Sequence, residues 1–136
     1  MSGELLYEYG KNPVNWGRLS DPNISHIEKN ISCGEELSLD LKLGTKDVVQ
    51  EIGFEGEGRL ITIAAMSLLS EEMEEMPLSH IEEIGKKDLL ELLEVDQLSP
   101  RRLKSALLSL LTFRNIHRKR IGERLLDFGD LLEEET

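Results

Sequence analysis

The chain has 136 residues, 39% hydrophobic and 32% charged, which gives one domain a core and a wet surface and excludes general disorder or a second core. Its formal charge of -11, from 16 Lys+Arg against 27 Asp+Glu, would repel a phosphate backbone, so no nucleic acid partner is expected. The longest apolar run, Leu60 to Ala65, falls far short of the roughly 20 residues of a membrane span, and MSGELLYEYG lacks the basic start and apolar core of a secretory signal, so the expected location is the cytoplasm with no membrane partner.

In chain order, Leu5, Leu6 and Tyr9 share one side of a short helix with Ser2 as its N-cap and Gly10 as its stop. NPVNWGRLSDPN, 12 to 23, is loop chemistry. A first, imperfectly alternating strand follows over 24 to 32. EELSLDLKLG is the clearest strand, with Leu37, Leu39, Leu41 and Leu43 facing a core and Ser38, Asp40 and Lys42 facing water. GTKD at 44 to 47 turns the chain into a returning strand, 48 to 56, with Ile52 and Phe54 inward.

After Gly58 the alternation gives way to a helix that is apolar nearly all round, Leu60 to about Glu75, and so is expected to be buried on most sides. Leu78, Ile81 and Ile84, then Leu89, Leu92 and Leu93, predict two brief surface helices. SPRRLKSALLSLLTFRN opens with Ser99 as N-cap and Pro100 at the first helical position, and Leu103, Leu107, Leu110 and Leu111 form its stripe. Ile121, Leu125, Phe128 and Leu132 continue at helical spacing, although Gly122 and Gly129 each weaken that helix by about 1 kcal/mol. Residues 113–136 are therefore set apart as a C-terminal helical extension, ending in the acidic EEET, of a single domain that spans 1–136. Three strands followed by helices predict an α+β domain with a helical layer on a three-stranded antiparallel sheet.

Few residues carry chemistry. Cys33 stands alone, which rules out an internal disulfide framework and an all-cysteine zinc site. His26, His80 and His117 have no spacing that suggests a metal site, and the serines lie in no nucleophile elbow. GEG at 56 to 58 lacks the lysine and spacing of a phosphate loop. Arg101, Arg102, Lys104, Arg114, Arg118, Lys119, Arg120 and Arg124 form a basic cluster, read either as a solvated helix face or as a docking patch for an acidic partner.

Four stretches in order, NPVNWGRL (12 to 19), NISCGEELSLDLKL (30 to 43), FEGEGRLITIAAMS (54 to 67) and LSPRRLKSALLSL (98 to 110), resemble the iron-sulfur cluster assembly scaffolds of the NifU N-terminal, IscU and SufU kind, with the start and the FEGEG run most similar to the SufU branch. The resemblance implies a three-stranded antiparallel sheet with a helical layer. It also implies a site at which a cysteine, a carboxylate two residues on and two further cysteines hold a metal or a cluster. Matched position by position, these are Cys33, Glu35, Arg59 and Ser105, with Lys104 adjacent where some members have histidine and others lysine. In the family the loop before the later helix is a chaperone contact, typically LPPVK, of which LSPRR keeps part.

The departures are chemically serious, because clusters are held by soft thiolates, serine is a poor substitute and a guanidinium cannot ligate a cation. Cys33 and Glu35 remain as ligands for iron or a cluster, and the isolated chain is expected to hold none stably. Arg59 opens a helix, where its charge is unfavourable unless an acid lies close. It is read either as a fixed cation in the vacated metal position, paired with Glu35 and facing Cys33, or as a surface arginine serving solubility. Cys33 is correspondingly an activated thiol or an ordinary small side chain, and Glu35 a ligand or the solvated start of a strand. The expected function is a non-enzymatic, degenerate iron-sulfur scaffold. The alternatives are a single-cysteine persulfide acceptor for a cysteine desulfurase, or an adaptor that keeps the scaffold surface. Expected partners are a cysteine desulfurase, other assembly proteins or a second copy of the chain.

Overall fold

The computed structural model describes residues 3–134. The elements are α1 (Gly3–Lys11), β1 (Ile24–Asn30), β2 (Glu35–Leu43), β3 (Val49–Glu57), α2 (Leu60–Met73), α3 (Lys86–Leu92), α4 (Pro100–Ile121) and α5 (Phe128–Leu132). The strands make one antiparallel sheet in the order β1-β2-β3. This is the expected α+β arrangement.

Alternation along β2 sends Leu37, Leu39, Leu41 and Leu43 into the core, where Ile52 and Phe54 of β3 join them, all at most 7% exposed. Against that face lie α2, buried at every position from 61 to 70, and α4. The uniform apolarity of α2 has its cause here: α1, α4 and β3 each cover one of its sides.

Several expectations are corrected. Asp40 does not face water: it is 1% exposed, because the 12–23 loop crosses the outer face of the sheet and covers it. The loop is tied by Gly17 N–H to Phe54 O at 2.7 Å and by Phe54 N–H to Asn15 O at 2.9 Å, with Trp16 edge-on to Phe54. The segment after α2 is a 3-10 turn, Leu78–Glu83, rather than a helix. Ser99 stands at the N-cap of α4, but its hydroxyl makes no capping bond. Ser2, expected to cap α1, lies outside the described residues, as does the end of EEET.

The C-terminal extension does not begin at 113. Phe113 and Ile116 are fully buried, and α4 runs on until Gly122 ends it in the left-handed conformation, φ 77°. Gly122 therefore breaks the predicted stripe, and Ile121, Leu125 and Leu132 are left about half exposed. The chain then folds back: Asn115 grips Leu126 by its N–H at 2.7 Å and its C=O at 3.0 Å, and Leu131 of α5 is fully buried. Arg114, expected on a solvated or docking face, is instead buried and donates to Ile81 O, Ile84 O and the Glu134 carboxylate.

Candidate functional site

The chain leaves β1 at Asn30 and turns through one 3-10 turn, Ile31–Cys33, closed by Gly34 at φ 67° with its N–H on Ile31 O. Only glycine takes that left-handed conformation without strain, which explains the glycine after the cysteine. The turn leaves Cys33 half-buried, as a free thiol, beside Ile31, which is 87% exposed.

β2 begins immediately afterwards, and its first residue, Glu35, points to the core face. It is not a solvated strand start: it is 3% exposed. One carboxylate oxygen, Oε1, accepts from Asn30 Nδ2 at 2.8 Å and Ser105 Oγ at 2.8 Å. The other, Oε2, accepts from Thr62 Oγ1 at 2.6 Å and the Arg59 main-chain N–H at 3.1 Å. Burial pushes the carboxyl pKa up, but the hydrogen bonds from Thr62, Arg59, Ser105 and Asn30 outweigh it and hold the group below the ordinary carboxylate value, as a buried anion.

The structure thus brings Glu35, Arg59 and Ser105 together, though not as an ion pair. The Arg59 guanidinium forms no salt bridge with Glu35; Arg59 is the N-cap residue of α2 and offers the carboxylate its main-chain N–H. The helix start, and not the side chain, supplies the compensation. Lys104 donates to Ser32 Oγ at 3.2 Å, Ser32 Oγ donates to Asn30 Oδ1 at 3.0 Å, and so Lys104 reaches the site only through the Cys33 turn. The Lys104 ammonium also lies 5.0 Å from the centre of the Phe128 ring.

Sequence reasoning missed Asn30, Thr62 and Ser32. A usable signal existed for Thr62, a lone polar residue in LITIAA at the third position of a helix. None existed for Asn30, which meets Glu35 only because the strand register pairs them. The basic cluster is not one patch: Arg120 pairs with Asp47, Arg124 with Asp130, Lys119 donates to Ser25 O, and Arg114 is buried. His26 and His117 pair with Glu28 and Glu82, each at 2.8 Å.

A carboxylate has about four lone-pair directions, and Glu35 spends them on four donors. Ser105 contributes a donated O–H and Arg59 its main-chain N–H, and neither is a metal ligand. Zinc in a structural site takes four N, S or O ligands, and clusters take thiolates. Among the described residues no three of His, Cys, Asp and Glu are grouped to hold a metal ion. The residues present do not fit a resident metal.

Residues 3–115 match the family model described as NifU-like N terminal domain, which is more than half of the chain. The iron-sulfur cluster assembly scaffold protein IscU of Thermotoga maritima is 38% identical over 71 residues, 52% of this chain and 49% of that protein. The zinc-dependent sulfurtransferase SufU of Bacillus subtilis is 34% identical over 68 residues, 50% of this chain and 45% of that protein. The chain thus spans about half the length of the curated relatives it matches. FiSufU of Fervidobacterium islandicum AW-1, a candidate scaffold for the SUF system, superposes with a TM-score of 0.71 at 20% identity over 82% of this chain and 92% of that one. A NifU-like N-terminal structure from Brucella abortus gives 0.71 at 15% identity over 89% and 94%. At those identities the superpositions show the fold alone. No helix among the described residues is long and apolar enough to cross a membrane.

Proposed function

The chain belongs to the NifU-like N-terminal domain family, and from that premise we propose that it is an iron-sulfur cluster assembly scaffold-like protein that is silent towards metal as an isolated chain. It is not an enzyme in this reading. It offers the scaffold surface to a cysteine desulfurase, to other assembly proteins or to a second copy of itself, and iron or a cluster is cargo held only when another chain adds ligands. The observation that carries the reading is the Glu35 carboxylate, saturated by four donors, two of them from the ligand positions Arg59 and Ser105. Cys33 is then the one uncommitted ligand of the set. The test is metal and sulfide analysis of anaerobically purified protein before and after reconstitution with iron, sulfide and thiol. Background metal in both the parent and Cys33→Ser is expected, together with retained binding to a desulfurase. A stable cluster on the monomer would overturn it.

One observation favours a second reading: Cys33 is half-buried rather than sealed, on a turn whose neighbours Ile31, Ser32 and Gly34 are exposed. A persulfide acceptor needs one reachable thiol. The Cys33 thiolate would attack the outer sulfur of a desulfurase persulfide, form the new S–S bond and release the desulfurase cysteine as a thiolate, with no net oxidant required. A mass gain of one sulfur atom on Cys33, absent in Cys33→Ser, distinguishes this reading from the first.

A further inference from the structure

We infer that the Glu35 carboxylate is the internal cross-link of this site, an anion that joins β1, β2, α2 and α4 by hydrogen bonds so that these elements are held together with no cation. This does not depend on the proposed function.

The four donors come from separate parts of the chain: Asn30 ends β1, Arg59 and Thr62 open α2, and Ser105, 70 positions from Glu35, lies in α4. None is a charged side chain group, and the positive end of the α2 dipole supplies the balance. Asn30, Thr62 and Ser105 are each 0% exposed, so water cannot replace a lost partner. The orientation of Asn30 is itself fixed, because Ser32 Oγ donates to its Oδ1 at 3.0 Å and leaves Nδ2 for Glu35. Room for the carboxylate is also built in. A Cβ at Gly58 would stand 3.0 Å from Glu35 Oε2 and 3.0 Å from Thr62 Cγ2. An ion entering here would have to take an oxygen from two donors and leave at least one of them buried and unpaired.

The experiment is amide hydrogen exchange at Arg59, read by NMR on the full chain, with thermal melts in excess zinc chloride and in EDTA. The expected result is an Arg59 amide protected in the parent protein and unchanged by either addition, with one melting temperature throughout. Glu35→Gln, which puts an NH2 group against donors, is expected to speed Arg59 exchange by about 10-fold or more and to lower the melting temperature by roughly 5–10 °C. If that variant does not fold, Thr62→Val and Ser105→Ala each remove one donor and are expected to lower the melting temperature by a few degrees. Free exchange of the Arg59 amide in the parent, unchanged melting in both single-donor variants, or an Arg59 amide and melting temperature that rise in protection only with zinc would overturn the inference. Zinc held between the Cys33 residues of two chains, with Arg59 exchange unaltered, would refute metal silence and leave the role of Glu35 standing.

Discussion

Glu35 and Asp40 lie on the same central strand, both are buried anions, and they are balanced in opposite ways. Asp40 faces the loop side of the sheet and takes a two-pronged guanidinium from Arg18, at 2.7 and 2.8 Å, with Ser25 Oγ at 2.6 Å and Leu19 N–H at 3.0 Å. Arg18 holds its pKa at about 2 against the pull of burial. Glu35 faces the core side and takes neutral donors alone. The contrast separates two uses of a buried carboxylate. One is a clasp that ties a loop to a sheet with a cation that remains half exposed, the other a junction of four elements that no mobile side chain can release.

The largest expected effect breaks the junction. Glu35→Ala leaves the donors of Asn30, Thr62, Ser105 and Arg59 facing a cavity, and urea unfolding should show a loss of about 3–5 kcal/mol. Breaking the clasp should cost less. Asp40→Asn removes the ion pair, and the pH dependence identifies it. The folded pKa lies below the ordinary 3.8, so the stabilisation is complete above that value and is lost as pH falls towards 2. The parent should therefore lose about 2 kcal/mol between pH 4 and pH 2 from this group, and Asp40→Asn should lack that component in acid unfolding curves.

The two smallest effects sharpen the comparison. Gly58→Ala pushes a methyl group against the Glu35 carboxylate and Thr62 and should destabilise by about 1 kcal/mol, measured by thermal melts. Arg59→Ala keeps the main-chain N–H and should change stability by no more than about 0.5 kcal/mol. A large loss from Arg59→Ala would mean that the guanidinium, and not the helix start, balances Glu35.

The elements whose pattern is local were legible in the sequence. The leucine alternation of β2, the all-round apolarity of α2 and the Pro100 start of α4 each report their own surroundings, and of the four positions grouped by resemblance over four motifs the structure joins Glu35, Arg59 and Ser105 by hydrogen bonds. Most of what failed needed a partner distant in sequence. Asp40 alternates like a wet-face residue, and nothing in EELSLDLKLG says that the 12–23 loop will lie across it. Arg114 reads as one more basic residue until α4 is seen to carry it under the carbonyls of Ile81 and Ile84. Arg59 presents a cationic side chain in the sequence, and the structure uses its backbone N–H. The stripe from Ile121 to Leu132 was spaced correctly for a helix and was cut by Gly122, whose left-handed conformation periodicity does not weigh.

The central claim is that Glu35 is committed to hydrogen bonds and that Cys33 alone is free. Its most direct test is anaerobic reconstitution with iron and sulfide, with bound iron counted per monomer in the parent, Cys33→Ser and Glu35→Gln. Iron at background in all three is the expected result. A stable chromophore on the monomer that is lost in both variants would show Cys33 and Glu35 acting together as ligands, and would contradict the account.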